Sequence, residues 1–185
     1  MLIKEAQVPY LARKIAYDLL NSGFVSFPKT IDNAIKEIED IIYEDVEWEK
    51  YIEDKAREIL AKQEEENEYL LYDVDRKEVF RLIKKSLAEE EGFSLKKDER
   101  IDYLSNLIVS ELWDKEFIDY DVRDGKIKNI VFKSIMEFFN REIEARNEVY
   151  KQIENYKREL IPGSEEYNLV FNKLYEQALK KRGLL

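Results

Sequence analysis

The chain has 185 residues and a net charge of −10, with 44% apolar and 39% charged residues, enough apolar material for a packed core and too much for a disordered tail. It contains no cysteine and no histidine, which excludes disulfides, thiol chemistry and Cys-ligated zinc, and removes the side chain best suited to proton transfer near neutral pH and to transition-metal ligation. No run approaches the ~18 apolar residues of a membrane helix, and residues 1–11 lack the apolar stretch and small-residue cleavage site of a secretory signal, so a cytoplasmic protein without a membrane anchor is expected.

In chain order, Pro9 marks the first turn of a first helix, whose apolar face is Leu11, Ile15 and Leu19 and which Gly23 ends. Phe24 to Phe27 then read as a short strand before Pro28, with Thr30 capping the next helix. That second helix is long. No Gly or Pro interrupts residues 31–67, about 55 Å if fully helical. Its positions 31, 35, 38, 42, 45, 49, 52, 56, 59 and 63 keep the alternating four-three spacing of a coiled-coil seam. Asp45 and Glu49 break the seam midway, so either the helix kinks there or the seam there faces solvent or a partner. A third helix covers about 75–91, with Val79, Phe80, Ile83 and Leu87 on one face and Gly92 closing it.

The same sequence of elements then repeats. At an offset of 93, Tyr10 meets Tyr103, Ile15 meets Ile108, Leu19 meets Leu112, Phe24 meets Phe117, Ile42 meets Ile135 and Glu49 meets Glu142. After a two-residue slip, Val79-Phe80 meets Val170-Phe171 and Gly92-Phe93 meets Gly183-Leu184. A register held this far is an internal duplication. The expected fold is all-α, a helical bundle of two three-helix units, 1–94 and 95–185. Each unit has a long second helix and one short strand, and a pseudo-twofold relates them. A kink near Asp45 has its counterpart near Asn140. Asp124-Gly125, following the alternating Phe117 to Val122, also carries a hairpin signal. Otherwise no Gly or Pro needs to fall inside a helix.

Leu87-Ala88-Glu89-Glu90, Gly92-Phe93, the terminal Lys181-Arg182-Gly183-Leu184 and the early Val8-Pro9 resemble an uncharacterised bacterial family, the domain of unknown function numbered five hundred and seven. The resemblance spans the whole chain, duplication included. It implies a small cytoplasmic bacterial protein and brings no activity, substrate, cofactor or catalytic residue. Abundant Lys, Glu and Ile with few Gln lean towards a thermophile.

Charge is uneven. Residues 1–94 hold 14 bases against 23 acids and residues 95–185 hold 17 against 18, while residues 32–68 alone hold 15 acids and 5 bases. Asp45, Glu47, Glu49, Glu53 and Asp54 within that segment are the candidate docking face for a basic protein partner, set against a solvated helix face with Lys50, Lys55 and Arg57 at i,i+4 spacing. Tyr69 and Tyr72 lie where the first unit is longer and form a second candidate contact, and Trp113 extends the apolar face of its helix and is expected in the core. Glu89-Glu90-Glu91 oppose the dipole of the helix they end, where the copy keeps Lys180-Lys181-Arg182. With no nucleophile motif or phosphate loop, no enzyme and no metal or cofactor is expected. The expected role is a protein-interaction or scaffold module, with a homodimer through the long-helix seam as one form of it. The alternative is nucleic-acid association through Lys84-Lys85, Lys96-Lys97 with Arg100, and Lys180 to Arg182.

Overall fold

Turn and cap chemistry set where each helix starts and stops. The computed structural model describes residues 2–66, 75–158 and 160–185. Helix α1 (Val8–Asn21) carries Pro9 in its first turn and follows a 3-10 turn over Glu5–Gln7. Strand β1 (Val25–Ser26) leads to α2 (Ile31–Glu66), whose start is capped by the Thr30 hydroxyl accepting from the Asn33 N–H at 3.3 Å. Helix α3 (Arg76–Glu90) is capped by the Asp75 carboxylate, which accepts from the Lys77 N–H at 2.9 Å. The second unit repeats the order: α4 (Lys97–Asp114), β2 (Asp119–Tyr120), α5 (Asp124–Glu154) and α6 (Glu165–Lys181), the last capped by Ser164.

The two third helices end in the same way. Gly92 and Gly183 take φ of +70° and +65°, the left-handed region that glycine enters without strain. The next N–H then returns to the helix, Phe93 to the Ala88 carbonyl at 2.8 Å and Leu184 to the Leu179 carbonyl at 3.0 Å. Both apolar side chains fold back and are buried.

The units are interleaved. Helix α1 packs on α2 and α5, α4 packs on α5 and α2, α3 lies on α2, and α6 on α5. The main core draws Leu11, Ile15, Ile38 and Ile42 from the first unit and Leu104, Ile108, Ile135 and Phe138 from the second. A smaller cluster of Ile52, Ala56, Leu87, Ala88 and Phe93 holds α3 to the second half of α2. The strands pair antiparallel across the units, with Ser26 opposite Asp119. Those residues are 93 apart, so the same position of each unit meets itself, as a local twofold requires.

The fold bears on four of these readings. Helices α2 and α5 run unbroken past Asp45 and Asn140, because the polar seam residues Asp45, Glu49 and Glu142 are satisfied from other helices and Asn140 lies on an exposed face. Asp124-Gly125 forms no hairpin turn; it opens α5, so Gly125 does fall within a helix, in the first turn, where backbone N–H groups need no intrahelical partner. The seam of α2 is buried from Ile35 to Ala56 by the chain's own helices, so it is not open to a second copy. Trp113 is 45% exposed rather than in the core; it lies on the last turn of α4, beyond the apolar stripe that α2 and α5 cover.

Candidate functional site

Asp45 and Glu49 stand one turn apart on α2, which places both carboxylates on one face. That face meets the first turn of α4, and Arg100 projects from it between them. All three are buried, at 7%, 4% and 3% exposure. Arg100 Nε donates to both Asp45 oxygens at 3.0 and 2.9 Å, and its Nη2 closes the second arm of the fork on Asp45 Oδ2. Nη1 donates to Glu49 Oε2 at 2.6 Å. From α3, Lys84 Nζ reaches Glu49 Oε1 at 3.3 Å and Glu53 Oε1 at 2.6 Å, and the Leu2 N–H donates to Glu49 at 2.8 Å.

Burial alone would raise the Glu49 carboxyl, but the Arg100 guanidinium and the Leu2 N–H outweigh it and hold the group down at about 2. Burial pushes the Asp45 carboxyl up, against the pull of the same guanidinium. The Phe93 ring lies under the guanidinium at 4.5 Å and packs against Trp48 at 5.4 Å between centroids, tilted by 57°. A cavity of about 150 Å³ touches Asp45, Trp48 and Arg100. Arg100 and the carboxylates spend their hydrogen bonds on one another, so the arrangement ties α2, α3 and α4 together and leaves no free acid–base pair.

The second unit holds the matching junction in different chemistry. Glu142 stands for Glu49, Phe138 for Asp45, Gln7 for Arg100 and, across the slip, Tyr175 for Lys84. The Tyr175 hydroxyl donates to Glu142 at 2.6 Å, and burial together with that bond pushes it up to about 12. Gln7 is 1% exposed, and its side-chain nitrogen has no protein partner among the described residues. Arg100 and Lys84, expected in basic surface clusters, lie instead in this junction. The sequence carries a signal for it: two acids in a seam need a cation, and the aligned copies put Gln and Tyr where Arg100 and Lys84 stand.

The acidic candidates therefore separate. Asp45 and Glu49 are removed from any docking face by burial under Arg100, and Glu53 is half-buried under Lys84. Glu47 and Asp54 are exposed. They belong to a continuous stripe of Asp40, Glu44, Glu47, Tyr51, Asp54 and Glu58, every one of them exposed, at the four-three spacing of one helix face. None of its five carboxylates has an ion-pair partner among the described residues. The same positions of α5 are Lys133, Glu137, Asn140, Glu144, Asn147 and Lys151, also exposed. The stripe carries −5 on α2 and zero on α5. Tyr69 and Tyr72 lie outside the described residues.

The basic clusters are largely occupied. Lys180 pairs with Glu176, Lys181 and Arg182 with Glu148, Lys96 with Glu99, and Lys84 and Arg100 with the α2 acids. Of the acids at the end of α3, Glu91 pairs with Lys55 and Glu89 with Lys85. Among the described residues, no helix is long and apolar enough to cross a membrane, and no group of three or more acids is placed to hold a metal. No curated protein matches the chain. The family described as Protein of unknown function (DUF507) matches residues 1–184, and the chain belongs to it.

Proposed function

We propose that this member of the DUF507 family is a non-catalytic protein-binding module that docks a basic partner on the acidic stripe of α2. The observation that carries the reading is the contrast between the copies. Two helices in matching places expose matching positions, and one stripe holds −5 where the other holds zero. Like charges at i,i+4 destabilise a helix by about 0.2–0.5 kcal/mol per pair, and the second unit builds the same element without them. An unpaired acidic field of this kind attracts basic partners and repels phosphate backbones.

The test is neutralisation of the exposed stripe by Glu44→Gln, Glu47→Gln, Asp54→Asn and Glu58→Gln together, with Glu144→Gln on α5 as the control. The stripe variant should lose partners that wild type and control retain from lysate at moderate salt, with an unchanged or slightly higher Tm. Retention of the same partners would sink the reading, and so would retention of DNA or RNA that depends on Lys180 to Arg182.

A further inference from the structure

We propose that the cleft beside Trp113 and Tyr120 receives an arginine side chain from a protein partner. Trp113 ends α4 and Tyr120 belongs to β2. Their ring centroids are 4.6 Å apart and tilted by 53°, and Trp113 stays 45% exposed. The cleft against them has a volume of about 590 Å³ and is walled by Asp114 and Asp124, with Ser110 and Lys128. Tyr120 donates to Asp124 at 3.2 Å. A second hollow of about 460 Å³ shares Trp113 and Asp114 and adds Glu116 and Asp119. One exposed indole thus borders two hollows that carry four carboxylates between them.

Two of the nearby cations are committed elsewhere. Lys128 pairs with Asp102 at 2.8 Å, and Lys115 with Glu37 and Glu111 at 2.6 and 3.1 Å. Other aromatic rings of the chain are capped by its own lysines, Phe117 by Lys29 and Phe24 by Lys126. Trp113 has no such cap among the described residues, although an indole is the ring that holds a cation best.

Duplication supplies the control. The positions matching Trp113, Asp114, Tyr120 and Asp124 are Leu20, Asn21, Phe27 and Ile31. Leu20 is as exposed as Trp113, at 45%. The scaffold therefore requires neither the indole nor the acids, which enter together in one copy only. A guanidinium fits them best. It is planar, stacks on an indole, and presents paired N–H donors to carboxylates, whereas an ammonium offers only a point charge. The cleft is open at the surface, which suits a side chain projecting from another protein. These residues are separate from the α2 stripe, so the two proposals stand or fall independently.

The probe is a blocked pentapeptide with one central arginine among glycines, titrated into the full chain and followed by NMR at the Trp113 indole N–H and the Ser110 and Gly125 amides. A saturable shift is expected with the arginine peptide, weaker binding with its lysine analogue, and none with the glutamine analogue. Trp113→Leu, which copies Leu20, and the pair Asp114→Asn with Asp124→Asn should each weaken binding about tenfold while melting as the wild type does. The stripe variant of α2 should bind the peptide normally. Equal shifts with the glutamine peptide, or unchanged affinity in both variants, would overturn the proposal. A lysine peptide that binds as tightly would overturn the choice of guanidinium.

Discussion

Arg100 sits in the first turn of α4, where the helix dipole disfavours a cation, and it is buried. Its position makes sense only through Asp45 and Glu49. Removing one member of a buried ion cluster strands the others and costs about 3–5 kcal/mol. Arg100→Gln, which installs the residue found at Gln7, should therefore destabilise by that amount in urea melts. Asp45→Phe combined with Arg100→Gln copies the second junction more fully and should recover part of the loss, and a double-mutant cycle would read the difference as a coupling between the two sites. Additive costs would show that the pair does not act as a unit. Glu49 adds a dependence on pH. Its folded-state value of about 2 lies below the ordinary 4.5, so its contribution is fully present above pH 4.5 and is lost as pH falls towards 2. The gap corresponds to on the order of 3 kcal/mol. Stability measured at pH 5 and pH 2.5 should fall more steeply in wild type than in Glu49→Gln; equal slopes would assign acid unfolding to other carboxylates.

At the scale of the element, the helices and their ends were legible because their signals are local. Pro9, Thr30, Gly92, Ser164 and Gly183 each act within a few residues, and the seam of α2 is a periodicity along one helix. What stayed illegible was what covered the seam. Two acids in an apolar row read as a break or an opening, because their cation lies 51 to 55 residues away on another helix. Trp113 shows the complementary case: it directly follows the fully buried Leu112 and is turned off the stripe that α2 and α5 cover, and its apolar character does not say on which side of that edge it falls. The third helices show how unlike two matching elements can be. Tyr175, Ala178, Leu179 and Leu184, from α6 and its end, join the main core, whereas α3 and its end rest on the small cluster of Leu87, Ala88 and Phe93 and on Lys84. Local opening follows buried apolar contact, so amides of α3 should exchange with solvent at a lower free energy than those of α6. Equal protection of the two helices would show that the ionic tie through Lys84 compensates for the smaller cluster.

For the molecule as a whole, the duplication is more than two bundles side by side. Each first helix packs on both long helices, its own and that of the other unit, and among the described residues the two strands pair across the units. Ile35, Ile38 and Ile42 of α2 share their core with Leu104, Ile108 and Ile135 of the second unit, and Arg100 joins the units through the buried acids. A chain ending at residue 94 would leave that side of α1 and α2 uncovered, Asp45 without its cation and Glu49 without Arg100. A chain starting at 95 would expose the matching side of α4 and α5. Each fully buried Ile or Leu contributes roughly 1.5–3 kcal/mol, and a domain's whole stability is only about 5–15 kcal/mol, so losing several such contacts leaves neither half a stable fold. The prediction is that 1–94 and 95–185, made separately, show helical signal without a cooperative thermal transition. Mixed at equal concentration, they should associate into a heterodimer that melts cooperatively and whose Tm rises with concentration. Placing Arg100→Gln in the second fragment should weaken that association more than Lys180→Gln does, since Lys180 pairs with Glu176 inside its own unit. Two halves that each melt cooperatively alone would mean that the core divides along the duplication, and that the shared packing holds together units already folded.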